Sequence, residues 1–227
     1  MKILYAASEA QPVAASGGLA DVAGSLPKAL VEEGHEACVV VPLYVNTIKQ
    51  QWRDQMTYVT NFSVPVGWRN QYCGLFTAKI NNVTYYFLDN EYYFKRDFGL
   101  YGYYDDAERY AFFSRAVLEM LKVIDFKPQI INSNDWQCAL IPVYYSIFYR
   151  NDEKLWGIKN VFTIHNIQYQ GRYGMEILED VLGIPKHFAS LMEYDRDINL
   201  MKAAIEVSDK VTTVSPTNTR PVVLTRS

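Results

Sequence analysis

The sequence predicts an α/β protein with a doubly wound, mostly parallel sheet and an added antiparallel β-ribbon. Three observations predict it. Residues 2–44 read strand–helix–strand, residues 56–89 alternate apolar and polar positions, and strands alternate with helices again from residue 107 onward.

The elements follow in order. "KILYAA" (2–7) is a short apolar run closed by turn residues, the pattern of a buried strand. Leu19, Val22, Ala23, Leu26, Ala29 and Leu30 then recur at helical spacing up to Gly34, a C′ glycine. Pro27 lies inside that pattern and predicts a kink or a frayed turn. "HEACVVVPLY" (35–44) is a second buried strand, which completes a parallel βαβ unit. In the middle, "MTYVTNFSVPV", "QYCGLFTAKI" and "VTYYFLD" form an antiparallel ribbon that extends or flanks the main sheet. Asn81-Asn82 supplies the hairpin turn between the last two.

"EYYFKRDFGLYGYYDD" (91–106) is aromatic and punctuated by glycine, and it reads as a loop too polar and irregular for a packed element. Asp105 or Asp106 can cap the helix "AERYAFFSRAVLEML" that follows. "PQIINSND" is a strand, "WQCALIPVYYSIFY" a largely buried helix containing Pro142, and "KNVFTIHN" another strand. Helical segments fill 175–207, and "KVTTVS" (210–215) is a last strand.

Composition narrows the function. A chain of 227 residues, 49% hydrophobic and 21% charged, suits one large or two small domains with a proper core. A net charge of −3 argues against a nucleic-acid partner. Cys38, Cys73 and Cys138 are odd in number and lie in apolar runs, so they read as buried free thiols of a reducing compartment. "MKILYAAS" is too short and too soon broken for a signal peptide, and no stretch is long and apolar enough to span a membrane. A cytoplasmic protein without membrane contact is the expectation.

Ligands of parallel α/β sheets bind at the carboxyl ends of the strands, and the polar residues of this chain gather there. "SGGLAD" follows the first strand, Asn132-Ser133-Asn134-Asp135 follows "QII", His165-Asn166 follows "VFTI", and Ser215-Pro216-Thr217 follows "VTTV". Each has a plain structural reading beside the functional one. Gly17 and Gly18 either make a tight turn or let a phosphate or sugar approach backbone N–H groups at a helix N-terminus. Asp21 either satisfies the helix dipole or binds a sugar hydroxyl. Asp135 either caps the helix that starts at Trp136 or serves the site. His165 is either a structural histidine or a strand-end functional one. Tyr92, Tyr93, Tyr101, Tyr103 and Tyr104 form a sugar-stacking lip or simply pack the loop. No G-x-S-x-G elbow, histidine pair at metal spacing or C-x-x-C is present.

Four co-linear segments, "SEAQPVAASGGLADVAGSLPKAL", "NSNDWQCALIPVY", "VFTIHNIQYQGRYG" and "MKAAIEVSDKVTTVSPT", resemble the N-terminal half of bacterial glycogen synthases and plant starch synthases. The resemblance implies a Rossmann-like domain, the first of two in a GT-B architecture. It also implies transfer of glucose from ADP-glucose (UDP-glucose in some members) to the non-reducing end of an α-1,4-glucan such as glycogen or a maltooligosaccharide. Configuration is retained and neither a metal nor another cofactor is implied. Ser16, Gly17 and Gly18 would face the donor with Asp21 nearby, and Asp135, His165 and Asn166 would hold the glucosyl unit. The main-chain carbonyl at His165 would face the developing positive charge, and Tyr101 matches a loop tyrosine that reaches the site. Two other readings are a glucan-binding module and a related glycosyltransferase with another nucleotide-sugar donor.

The chain departs from the family pattern in three places. Ala15 stands where a lysine is common, and Asn132 where many members have histidine. After residue 217, "NTRPVVLTRS" replaces the usual continuation. Residues 1–217 therefore read as the acceptor-side catalytic domain and 218–227 as a truncation or frameshift scar, with the nucleotide-binding domain absent. A fragment of this kind is expected to bind glucan weakly and to transfer essentially nothing.

Overall fold

The structure, a computed structural model, describes residues 1–214. The last polar strand end, at 215–217, and the proposed tail at 218–227 lie outside the described residues.

β1 (Lys2–Ala6) leads through a packed loop into α1 (Gly18–Glu32), and β2 (Glu36–Pro42) lies parallel to β1. β2 is buried along nearly its whole length, as a strand covered on both faces requires. Gly34 ends α1 at φ +87, with its own N–H bonded to the Val31 carbonyl and that of His35 to the Leu30 carbonyl. Those two bonds are a Schellman closure, which a left-handed glycine permits. Pro27 does not fray α1. The helix runs on through it, and its ring is buried on the core side.

β3 (Thr57–Val66), β4 (Arg69–Ile80) and β5 (Val83–Asp89) form the antiparallel ribbon, with Asn81 and Asn82 at φ 50 and 65 in the tight turn. β5 also pairs in parallel with β2, so the ribbon extends the main sheet rather than flanking it.

α2 (Asp106–Met120), β6 (Ile130–Asn134), α3 (Leu140–Tyr144) and β7 (Lys159–Ile164) follow. The predicted helix at 136–149 begins as a 3₁₀ turn, passes through α3 and widens to π geometry over Tyr145–Tyr149. The region 175–207 is less helical than expected. Three one-turn helices stand there beside β8 (Arg172–Tyr173), β9 (Glu193–Tyr194) and β10 (Asp197–Asn199), which make a small antiparallel sheet. α4 (Leu200–Val207) and β11 (Lys210–Thr213) complete the described chain.

The main sheet runs β11-β7-β6-β1-β2-β5-β4-β3. Its six parallel strands, taken in chain order, stand 6-5-4-1-2-3, the Rossmann arrangement. The order reverses between β1 and β6, and the crevice above their carboxyl ends is where such sheets bind ligands. All three cysteines are buried and unpaired.

Two expectations about 91–106 fail together. The segment does pack: Tyr93, Phe94 and Leu100 are buried. Arg109, at 0% exposure, lies beneath it. Its Nε donates to the Tyr93 carbonyl at 2.7 Å and its Nη1 to the Leu100 carbonyl at 3.0 Å and to Asp106 at 2.7 Å. One guanidinium from α2 thus satisfies carbonyls that the loop leaves open. Nor does either aspartate cap α2. Asp105 occupies the N-cap position but takes Arg96 at 2.6 Å, and Asp106 accepts from Arg109 and from the Gly102 N–H at 2.8 Å.

Candidate functional site

A cleft of about 830 Å³ opens at the reversal point of the sheet. Ser16, Gly17, Gly18, Tyr101, Asp135, His165 and Asn166 all line it, so the structure brings together seven of the eight residues singled out in the sequence. Asp21 is the exception. It sits in the first turn of α1, exposed and outside the lining.

The β1 end contributes a residue that sequence reasoning missed. Glu9 is 3% exposed, and its carboxylate accepts from the Ser16 backbone N–H at 2.7 Å and the Ser16 hydroxyl at 2.5 Å. This pair fixes the start of the glycine loop. The only available signal was a carboxylate following a buried strand, because its partner lies seven residues further on. Behind it, the Ser8 and Tyr101 hydroxyls are 2.7 Å apart, and Tyr44 donates to the Ser8 carbonyl at 2.6 Å. Burial first, then neighbouring Tyr110 and Glu9, push Tyr101 well above the usual phenol range, so it stays a neutral hydroxyl.

Turn chemistry does not explain the two glycines. Gly17 has φ −162, extended backbone open to any residue, and Gly18 is the first residue of α1. A Cβ on Gly17 would make only ordinary contact, 3.8 Å from Glu9, and one on Gly18 would meet nothing within 4 Å. Side chains are missing here although conformation and packing would accept them. Gly24 is the contrast: a Cβ there would come within 2.9 Å of Gln11, so its glycine is a packing requirement.

The β6 end supplies Asp135, which does not cap the following turn. Its Oδ1 instead accepts the backbone N–H groups of His165 at 2.7 Å and Asn166 at 3.2 Å, tying the β6 end to the β7 end. The residue sits at φ 58, ψ −178, a region nearly reserved for glycine and worth about 1–3 kcal/mol of strain. Burial pushes its carboxyl up to about 6, against the two N–H bonds that pull it down, and Glu9 adds to the rise.

His165 lines the cleft, and its ring bonds through Nε2 to Asn134 Oδ1 at 2.8 Å. Burial lowers its pKa to about 4, so the ring is neutral near pH 7. Trp136, Gln137 and Tyr169 complete the walls. Of the tyrosines in 91–106, Tyr93 packs inward, Tyr92 and Tyr104 are exposed, and only Tyr101 reaches the cleft.

The described lining carries three carboxylates, Glu9, Asp106 and Asp135, and no lysine or arginine. Such a surface suits a neutral polyol, whose hydroxyls donate to carboxylates, or a group developing positive charge. It offers no side-chain cation to offset a diphosphate; the N-terminus of α1 at Gly17 and Gly18 is the positive end that faces it.

Comparison with known proteins agrees in sequence and in shape. A family model described as starch synthase catalytic domain matches residues 2–225. The glycogen synthase of Exiguobacterium sibiricum is 49% identical over 220 residues, 95% of this chain and 45% of that protein. The glycogen synthase of Geobacillus stearothermophilus is 48% identical over 219 residues, 96% of this chain and 45% of its own. The catalytic domain of starch synthase IV from Arabidopsis thaliana, solved bound to ADP and acarbose, superposes with a TM-score of 0.83 at 28% identity. That match covers 95% of this chain and 45% of the plant chain. The chain thus spans about half the length of the curated relatives it matches.

Proposed function

Because the chain belongs to the starch synthase catalytic-domain family, we propose that it is the sugar-handling half of a cytoplasmic glucosyltransferase of glycogen synthesis. The reaction transfers glucose from ADP-glucose to the non-reducing end of an α-1,4-glucan with retention of configuration. The acceptor O4 bonds to the anomeric carbon, the bond from that carbon to the diphosphate breaks, and the acceptor proton leaves with ADP. The proposal needs no metal ion.

The open glycine pair carries this reading. Gly17 and Gly18 have room for side chains, lack them, and line the same cleft as Asp135 and His165. An occupant that needs the space accounts for their absence. In the proposed complex the donor's sugar lies over this loop. Asp135, ionised near pH 7, accepts a glucosyl hydroxyl, as do the neutral His165 ring and Asn166. The His165 main-chain carbonyl stabilises charge at the anomeric carbon. Tyr101 closes one side. The leaving diphosphate needs cations that the described lining does not supply, and Ala15 adds none. This agrees with a partner half bearing that task, as the roughly twofold length of the relatives suggests.

The test is a chimera that joins residues 1–214 to the remaining half of the Geobacillus stearothermophilus glycogen synthase. Transfer from ADP-glucose to maltoheptaose is expected, with Asp135→Ala lowering kcat about 10²-fold or more. A folded chimera that binds both substrates and transfers nothing would overturn the proposal.

A further inference from the structure

Beneath His165 runs a line of polar side chains that crosses three strands. His165 Nε2 meets Asn134 Oδ1 at 2.8 Å. The Asn134 amide nitrogen meets Asn132 Oδ1 at 2.8 Å, and the Asn132 amide nitrogen meets Thr163 Oγ1 at 3.0 Å. Thr163 Oγ1 lies 2.8 Å from Thr212 Oγ1. Asn134 is fully buried and Thr163 nearly so.

The direction of this line follows from chemistry alone. Two backbone carbonyls flank the Asn134 amide nitrogen, that of Ala6 at 3.0 Å and that of Asn132 at 3.2 Å. Only the NH₂ end of an amide fits between two acceptors. The opposite end, facing the imidazole, is therefore oxygen, and Nε2 must carry a proton to meet it. By the same logic Asn132 turns its own NH₂ toward Thr163. Thr163 accepts there, and its hydroxyl also lies 2.8 Å from that of Thr212, where either can donate.

We infer that Asn134 is a positioning residue that holds His165 as the Nε2–H tautomer, its amide oriented by the Ala6 and Asn132 carbonyls, with Asn132 and Thr163 bracing it from behind. The consequence is a ring whose Nδ1 is a lone-pair acceptor, without a hydrogen bond among the described residues. Amides have no charge change between pH 5 and 8, so the direction holds across that range. Asn132 acquires a physical role: it braces the Asn134 amide without titrating. Hydrogen bonds aligned head to tail also polarise one another, which strengthens the line beyond its separate links. The use of Nδ1 to accept a sugar hydroxyl rests on the proposed function. The tautomer itself does not.

Nitrogen-15 NMR of the 227-residue chain tests it without any sugar present. At pH 7 His165 is expected to show a directly observable, slowly exchanging Nε2–H and an unprotonated Nδ1. Asn134→Leu is expected to abolish the observable N–H. Thr163→Val, close in shape, is expected to speed its exchange roughly fivefold, the effect of losing one hydrogen bond of ordinary strength. A proton on Nδ1 in the unmodified chain would overturn the inference whatever the variants do. So would a Thr163→Val protein whose Nε2–H exchange is unchanged. Failure of glucan binding with the Nε2–H signal intact would count against the proposed function and leave the tautomer assignment standing.

Discussion

Asp135 concentrates two costs in one residue: a backbone conformation suited to glycine and a carboxylate buried beside a second carboxylate. Such costs persist where the surroundings enforce them for function. The pH dependence follows from the sign of the shift. An ordinary aspartate titrates near 3.8 and this one near 6, so between those values the folded chain keeps a proton that the unfolded chain has released. The group's contribution to stability is full below 3.8 and lost as pH rises through about 6. Asp135→Asn removes that loss. The variant is expected to gain on the wild type by about 1–3 kcal/mol between pH 4 and pH 7, measured by urea denaturation across the range. The His165 shift is common to both proteins and cancels. A difference that is flat with pH, or grows on acidification, would contradict the burial argument. Of the residues discussed here, His165 and Asn166 were legible because they end a buried strand, whereas Glu9 was hidden by the distance to its partner, Ser16.

At the scale of elements, the turn between β3 and β4 shows how the ribbon is held to the rest of the molecule. Gly67 has φ +59 at the first position of a two-residue turn, where glycine is favoured. A Cβ there would lie 2.1 Å from the Asp180 carbonyl oxygen. Trp68 Nε1 donates to Asp180 Oδ1 at 2.9 Å, and Arg69 donates to the Asp180 carbonyl at 3.0 Å. Gly67→Ala is expected to destabilise the chain by about 2–4 kcal/mol from strain and overlap combined. A urea midpoint shift worth under about 0.5 kcal/mol would show that the docking is loose. Local signals announced some elements plainly, such as Asn81-Asn82 and Gly34. Others depended on distant partners. The loop at 91–106 packs because Arg109 sits under it, and the β9–β10 hairpin turns on Asp195-Arg196 at φ 53 and 68 without a glycine to mark it.

At the scale of the whole molecule, sheet order places the chemistry. Chain alternation indicated a doubly wound sheet, but periodicity does not state which strands are neighbours. The resemblance supplied the architecture, and the strand pairing accounts for the convergence of β1, β6 and β7 ends on one cleft. The central claim is that this acidic, cation-free surface recognises sugar hydroxyls and leaves the diphosphate to another part of the enzyme. Calorimetric titration of the 227-residue chain with maltoheptaose and, separately, with ADP tests it most directly. Saturable maltoheptaose binding in about the millimolar range, abolished by His165→Ala, with no ADP binding at the same concentrations, is the predicted result. ADP binding without maltoheptaose binding would contradict it.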